Sequence, residues 1–335
     1  MTHKLRAIIF WLIAILFLII SPLTMLYALD YSYDWQNKKL IQNGGFYLKS
    51  SPKGASIYLN DKNKKTTPRF IKKLFPKTYS IKIEKEGFYP WAKDLFINSG
   101  LVTESKYILL INKNPELELV GSYKKLDDLF PPSQQDNKKE RVEKIIISSL
   151  IEPNTKTSSA TNTKKELENY RIILSTNHYV AIIHNASPNK PEGEQKGALY
   201  LLNDDDNFVK LAEDVVSAQF SSDNKKLLWQ TDNEIWAYWI EDDYTQPYKK
   251  IGDKNLITRF NEKIKQTIWY DGDNQHIIFT IGDTMKIIEI DDRNQKNIFD
   301  ITTIQNPQIL SKNKTLYILS NGMLYKMRIE NGFEL

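Results

Sequence analysis

A run of 23 residues without a single charged side chain, Ala7 to Leu29, constrains this chain more than anything else in it. As an α-helix the run would extend about 34 Å at about 1.5 Å per residue, enough to cross a hydrocarbon core of about 30 Å. Trp11 and Tyr27 lie toward its two ends, where amphipathic rings favour the membrane–water interface. Pro22 is tolerable in such a helix. A cleaved leader is the competing interpretation, but leaders carry an apolar core of about 7–15 residues and a small-x-small exit. The exit here reads Leu26-Tyr27-Ala28-Leu29-Asp30, so an uncleaved anchor is expected. Lys4 and Arg6 precede the run, and Asp30 and Asp34 follow it. That bias places residues 1–6 in the cytoplasm and the remainder outside. Lys38, Lys39 and Lys49 on the far flank weigh the other way, but long domains translocate largely regardless of charge.

The composition beyond the anchor points to strands. Tyr, Phe and Trp make up 12% of the chain, and aromatic and β-branched residues suit pleated, half-buried surfaces. There is no cysteine, which excludes disulfides, thiolate metal sites, a cysteine nucleophile and a lipid-modified cysteine. The net charge of +5 is unevenly spread: residues 38–111 hold 15 Lys and Arg against 5 Asp and Glu, whereas residues 112–335 hold 29 against 34. A basic segment therefore follows the anchor and a mildly acidic one comes after it. The basic segment is open to two explanations, attraction to anionic lipid heads or acidic wall polymers, or a Lys-rich solvated surface.

From Gly45 to Ile111, short alternating runs are separated by turn residues. Ala55, Ile57 and Leu59 alternate with Ser56, Tyr58 and Asn60; Tyr79, Ile81 and Ile83 alternate with Ser80, Lys82 and Glu84. This period of two predicts strands with one buried face. Phe46 to Lys49, Trp91 to Ile97 and Lys106 to Ile111 are further strand candidates, with turns expected around Pro52 and Gly54, from Asp61 to Thr67, and at Pro76 and Gly87. Five or six strands in this length predict a small antiparallel sandwich. Ser51-Pro52-Lys53-Gly54-Ala55 followed by Ile57-Tyr58-Leu59 resembles the opening of the PEGA domain, with Lys53 in place of the Glu of the family's name. Thr67-Pro68, Leu74-Phe75-Pro76-Lys77-Thr78-Tyr79 and Gly87-Phe88-Tyr89-Pro90-Trp91 fit its later marks. The chain departs from the family at Lys65-Thr66 and at Lys77, where the family has glycine. The motif residues Pro52, Gly54, Ala55, Thr67, Pro68, Pro76, Gly87, Pro90 and Trp91 read as folding residues rather than chemistry. The resemblance implies an extracytoplasmic, non-catalytic binding module.

Residues 131–168 are polar, with Asn154 to Lys165 too poor in apolar residues to fold. The apolar Ile145-Ile146-Ile147 with Leu150-Ile151 is expected as a strand. Then a pattern recurs. Gln219 to Trp229 reads strand, polar turn, strand, and Asn233 to Trp239 adds another strand. Thr267 to Phe279 with Met285 to Ile290 repeats the scheme, and Gln308 to Ile318 with Gly322 to Arg328 repeats it again. Arg171 to Ile183 with Ala198 to Leu202 forms an earlier copy. Spacings in the forties match four-stranded propeller blades. The Ser-x-Asp-x-Lys style turn resembles the TolB-type or WD40-like repeat. An irregular sandwich with evenly spaced hairpins fits the same rhythm.

The expected layout is mostly β: a 1–6 cytoplasmic tail, a 7–29 transmembrane helix, a 30–44 juxtamembrane linker, a 45–111 PEGA-like domain, a 112–168 connecting region with a flexible loop at 153–166, and a 169–335 β-propeller-like domain that could also take in 112–151. Of the histidines His3, His178, His184 and His276, none has acidic partners at ligand spacing. Asn203 to Asn207 and Asp271 to Asn274 offer calcium-type oxygens, but a hairpin turn explains each first. Trp229, Trp236, Trp239 and Trp269 lie on strand patterns, where packing is the ordinary use and a stacking surface the sharper one. No phosphate loop, nucleophile elbow or His-Glu-x-x-His occurs. The sequence therefore predicts a single-pass envelope protein held in the bilayer by Ala7 to Leu29. It would be non-catalytic, with no cofactor or metal, and would bind an envelope protein or polysaccharide rather than nucleic acid. An extracytoplasmic hydrolase with acidic residues on a propeller face, and a sensor ectodomain acting through a partner, are the alternatives.

Overall fold

A computed structural model describes residues 3–126, 136–151, 166–176, 179–185, 195–202 and 207–329. His178, residues 203–206 and nearly all of the loop expected at 153–166 lie outside them. The chain divides into two compact units, Met1–Leu110 and Ile111–Leu335.

The first unit opens with α1 (His3–Ala28), which contains Pro22. Lys4–Ala28 has a mean hydropathy of 2.6 with none of its apolar window buried, so it is long and apolar enough to cross a membrane. Where a linker was expected, the chain forms a hairpin of β1 (Tyr31–Asp34) and β2 (Lys39–Gln42). Its turn is tied by Asp34, which accepts from Gln36 N, Asn37 N and Asn37 Nδ2.

A two-sheet sandwich follows, built from β3 (Gly44–Ser51), β4 (Ser56–Leu59), β5 (Lys62–Thr66), β6 (Arg69–Leu74), β7 (Thr78–Glu84), β8 (Trp91–Phe96) and β9 (Val102–Leu109). One sheet runs β5-β4-β7-β8 and the other β6-β3-β9. All pairings are antiparallel except β3 with β9, which is parallel. The span expected as a turn from Asp61 to Thr67 holds β5, a polar edge strand without an apolar side chain to reveal it. In β7, Tyr79, Ile81 and Ile83 are buried while Thr78, Ser80 and Lys82 are exposed. These residues join Phe46, Leu48, Ile57, Leu59 and Trp91 in one core.

The second unit begins with β10 (Glu118–Ser122), then α2 (Asp136–Ile146) and a π-helical turn, Ile147–Ile151. The strand expected over Ile145 to Ile151 is therefore helical. Its apolar residues fall at helical spacing: Val142, Ile146 and Ile151 pack together against a sheet. Four four-stranded antiparallel sheets follow. The first is β11 (Tyr170–Leu174), β12 (Val180–Asn185), β13 (Gly197–Leu202) and β14 (Phe208–Val215). The second is β15 (Ser217–Phe220), β16 (Lys226–Gln230), β17 (Glu234–Trp239) and β18 (Lys254–Arg259). The third is β19 (Ile264–Trp269), β20 (His276–Ile281), β21 (Thr284–Glu289) and β22 (Ile298–Thr303). The last holds β23 (Gln308–Lys312), β24 (Thr315–Ser320) and β25 (Met323–Met327), and its fourth strand is β10 from the start of the unit. First strands lie beside first strands, β11 by β15, β15 by β19 and β19 by β23. This is a blade-like, propeller-type arrangement.

Second strands are buried on both faces, which is why Lys226–Gln230 and His276–Ile281 read as continuous runs rather than alternating ones. Ala181, Ile183 and Leu199 of the first blade meet Leu227 and Trp229 of the second. Leu228, Ala237 and Trp239 on the other face of the second blade meet Ile277 and Phe279 of the third. Three glutamines join the blades, of which Gln230 is buried. Gln219 accepts from Trp269 N through Oε1, and its carbonyl accepts from Trp269 Nε1. Gln230 Nε2 donates to Ile264 O. Gln266 both donates to Ile309 O and accepts from Ile309 N, each at 2.8 Å. Phe279 is fully buried between blades, so Phe279→Ala is expected to cost about 3–5 kcal/mol, read as a urea-midpoint shift of the detergent-solubilised chain by near-UV circular dichroism. Val209→Ala, on an exposed strand position, is expected to stay within about 0.5 kcal/mol.

Candidate interaction loop

The PEGA-type motif residues build one framework. Pro52 and Pro68 each follow a cis peptide bond, and Gly54 takes φ +77°. Gly54 N donates to Thr67 O, and Thr67 N donates to Ala55 O. Thr67 Oγ1 accepts from Ala55 N and shares a 2.6 Å hydrogen bond with Ser50 Oγ. Ala55 and Thr67 are buried. Pro76 lies in the β6–β7 turn, beside Phe75, whose carbonyl accepts from Tyr79 Oη. Gly87 takes φ +81° in the turn that buries Phe88. Pro90 leads into β8, whose first residue, Trp91, is buried. At Lys65 the chain departs from the family's glycine, and its backbone nonetheless sits at φ +96°. That region favours glycine.

In the second unit, two blades carry the same turn between first and second strands. Asp223 Oδ1 accepts from Lys225 N, and Asp273 Oδ1 accepts from Gln275 N. Asn224 and Asn274 take φ near +55°, a conformation asparagine tolerates. Three residues after each aspartate stands a buried base: Lys226 lies 3.5 Å from Asp223, and His276 Nδ1 lies 2.7 Å from Asp273. The turns also bond to each other around the unit. Asn224 Oδ1 accepts from Thr176 N, Ser222 N donates to Asn274 Oδ1, and Asn313 N donates to Asp271 Oδ2. Asp271 and Asp273, weighed above as calcium ligands, thus place their oxygens in turn and inter-blade bonds.

Rooted on these turns is residues 240–253, the connection from β17 to β18. Its first residue donates from N to Lys225 O at 2.8 Å. Fourteen residues is long for a hairpin connection, yet the loop is closely bonded. Asp243 and Lys249 exchange two backbone hydrogen bonds, Ile251 N donates to Asp242 Oδ1, and Lys250 N donates to Asp253 Oδ2. Inward, Asp243 Oδ2 lies 3.6 Å from buried Lys226 and accepts from Gln275 Nε2. Lys249 pairs with Asp292 at 2.7 Å and lies over the Trp239 ring. Burial pushes the Asp243 carboxyl up, but hydrogen bonds from Thr245, the Lys226 charge and the Gln275 contact outweigh it and hold the group below the usual carboxylate range. Outward, Tyr244 is 83% exposed, and Tyr248 and Ile251 are each 68% exposed.

This loop was not singled out by the sequence analysis. Its signal was present: two tyrosines and an isoleucine around Pro247, in a connection longer than its neighbours. Of the four tryptophans, Trp229, Trp239 and Trp269 are buried. Trp236 is half-buried and stacks on Trp229 at 6.2 Å. His184 stacks on Tyr170 at 4.4 Å, and burial lowers its pKa. Among the described residues, no group of three or more His, Asp or Glu is placed to hold a metal ion.

Two outcomes are expected. Lys65→Gly relieves the positive φ and raises the stability of the first unit by about 1 kcal/mol, read by chemical denaturation. The depressed pKa of Asp243 means its stabilisation is present above the ordinary carboxylate range and is lost as pH falls through the lower folded value. Acidification from about pH 6 to about pH 3 should therefore lower the amide protection factors across 240–253, exchange being taken relative to its intrinsic rate at each pH. Asp243→Asn should show the low protection already at neutral pH, with a flatter pH response.

Residues 44–109 match the PEGA domain family. No curated protein matches the chain. Among solved structures, the β-propeller domain of the Trilobed protease from Pyrococcus furiosus is similar at 13% identity over 44% of this chain and 46% of that one, with a TM-score of 0.31. A gluconolactonase from Xanthomonas campestris is similar at 15% identity over 47% and 56%, with a TM-score of 0.33. The Cps50 (Swd1) β-propeller domain from Myceliophteria thermophila is similar at 10% identity over 50% and 56%, with a TM-score of 0.34. The chain spans about half or less of the first solved structures it resembles. Residues 44–109 are a PEGA domain, set between an apolar N-terminal helix and a propeller-like β unit.

Proposed function

We propose that this protein is a membrane-anchored, extracytoplasmic binding or scaffold protein of a bacterial cell envelope, without catalytic activity of its own. α1 is the anchor, the PEGA domain stands next to it in sequence, and the propeller-like unit presents loop 240–253 to a protein or wall polymer. The observation that carries this reading is the contrast within the loop. Asp243 and Lys249 are bonded inward, while Tyr244, Tyr248 and Ile251 face water. Rigid tyrosines on an ordered loop supply contact area at small entropic cost and are frequent anchors of interfaces. Asp243, Asp292, Asp273 and Asp291, in or beside the loop, pair with lysine, histidine or arginine, which suits architecture better than proton transfer.

A photo-crosslinking residue in place of Tyr248, in intact envelopes, is expected to give a discrete adduct with one protein or polymer. Tyr244→Ala with Ile251→Ser is expected to lower its yield at least about tenfold while the circular dichroism spectrum is retained. An adduct yield indifferent to those substitutions, or turnover of a defined wall or protein substrate by the purified protein, overturns the reading. Protease added to cells with a permeabilised outer barrier and an intact inner membrane is expected to degrade everything beyond about residue 36. Full protection would place both β units in the cytoplasm.

A further inference from the structure

We infer that the β1–β2 hairpin and β6 form a second membrane contact, docking the first unit onto anionic lipid headgroups. The inference deepens the anchored reading above and rests on it. The chain leaves the helix without slack. Leu29 N still donates to Met25 O, Asp30 N donates to Tyr27 O, and β1 begins at the next residue. The hairpin is then fixed to its surroundings. Asn43 N donates to Asp30 O at 2.7 Å and Asn43 Nδ2 donates to Ser32 Oγ at 2.6 Å. Ser99 Oγ, in the β8–β9 loop, donates to Gln42 O. Lys73, in β6, brings its ammonium to 3.7 Å from Asp30 and 3.5 Å over the Tyr27 ring. The first unit therefore follows the end of α1 as one body.

What surrounds that exit has the chemistry of a lipid interface. Trp35, at the hairpin turn, is 83% exposed and meets the half-exposed Tyr33 edge-to-face at 4.7 Å. Leu40 on β2 and Phe70 on β6 are exposed as well, and the Lys72 ammonium lies 5.0 Å over the Phe70 ring. Lys38, Lys39, Arg69, Lys72 and Lys73 are interleaved with these aromatics. Exposed tryptophan and tyrosine beside lysine and arginine, within a few residues of an apolar span, are the composition that headgroup layers favour. Four residues of strand reach about 13 Å from the helix end at most, so a hairpin lying along the surface keeps its aromatic tip among the headgroups. Charge complementarity selects anionic lipid: residues 38–111 carry 15 Lys and Arg against 5 Asp and Glu.

The chain has no cysteine, so single nitroxide labels can be placed on the full-length protein in vesicles. Phe17→Cys reports the anchor, Gln36→Cys reports the hairpin tip and Val209→Cys serves as a water-exposed reference. In phosphatidylglycerol-containing vesicles, label 36 is expected to collide with oxygen more and with a nickel chelate less than label 209, and to lose that difference in purely zwitterionic vesicles. Lys39→Gln or Lys72→Gln should each lower the docked-to-undocked ratio about fivefold. Label 36 behaving like label 209 in anionic vesicles, while label 17 sits in hydrocarbon, overturns the docking and leaves the anchor standing. Label 17 in water overturns the anchor and the docking together. In native membranes, label 36 shielded from both collision partners would mean that a protein covers the surface, which also overturns the docking.

Discussion

A sheet that is apolar on both faces cannot stand alone in water, and the second unit depends on how that constraint is met. Ala181 and Ile183 need Leu227 and Trp229; Leu228 and Trp239 need Ile277 and Phe279. Each blade supplies the cover that its neighbour lacks. The first blade's other face, with Val180 and Ile182, is covered by Val142 and Ile146 of α2 instead of a further blade. Apolar cover alone would let blades slide. Gln219, Gln230 and Gln266 each bond to a neighbouring blade at a defined backbone position, and such bonds, above all that of buried Gln230, set register because a slip leaves them unmet.

The same economy of charge shapes the ends of the blades. Lys226 is buried between Asp223 and Asp243, and His276 beside Asp273. A buried ion pair adds little net stability, since desolvation offsets its attraction, but removing one partner is costly. These pairs fix the turns on which loop 240–253 is built. The loop can therefore expose Tyr244 and Tyr248 without being loose, which is the condition for a low-entropy contact surface.

Much of this was legible in the sequence. The uncharged run became α1, alternation in Tyr79 to Ile83 became β7, and blade-length spacing became four sheets. The PEGA motif was readable because its prolines and glycines answer to local backbone geometry. What escaped reading escaped for physical reasons. β5 has no apolar residue, so no period could show it. Ile145 to Ile151 is as apolar as a strand, and its helical nature rests on Val142, one turn earlier, facing the same sheet. β10 pairs with a strand about 200 residues away, a contact that no local pattern records. The hairpin after α1 is a polar-aromatic stretch whose strand pairing is set by Asp34 and Asn43 rather than by hydrophobic rhythm. Loop 240–253 was missed because its meaning lies in exposure, and exposure is a property of the folded whole.

The pairing of β10 with β25 has a mechanical side. The polypeptide arriving from the first unit enters the second through β10, and among the described residues β10 lies at a sheet edge, paired with β25. Its ladder is short and carries a register shift between Leu119 and Gly121. With no disulfide to bypass it, tension applied between α1 and the blades reaches them along this strand. β25 is then the clasp that bears the load. The blades behind it are loaded only once that clasp peels, so the β10–β25 ladder sets the force at which the unit begins to open.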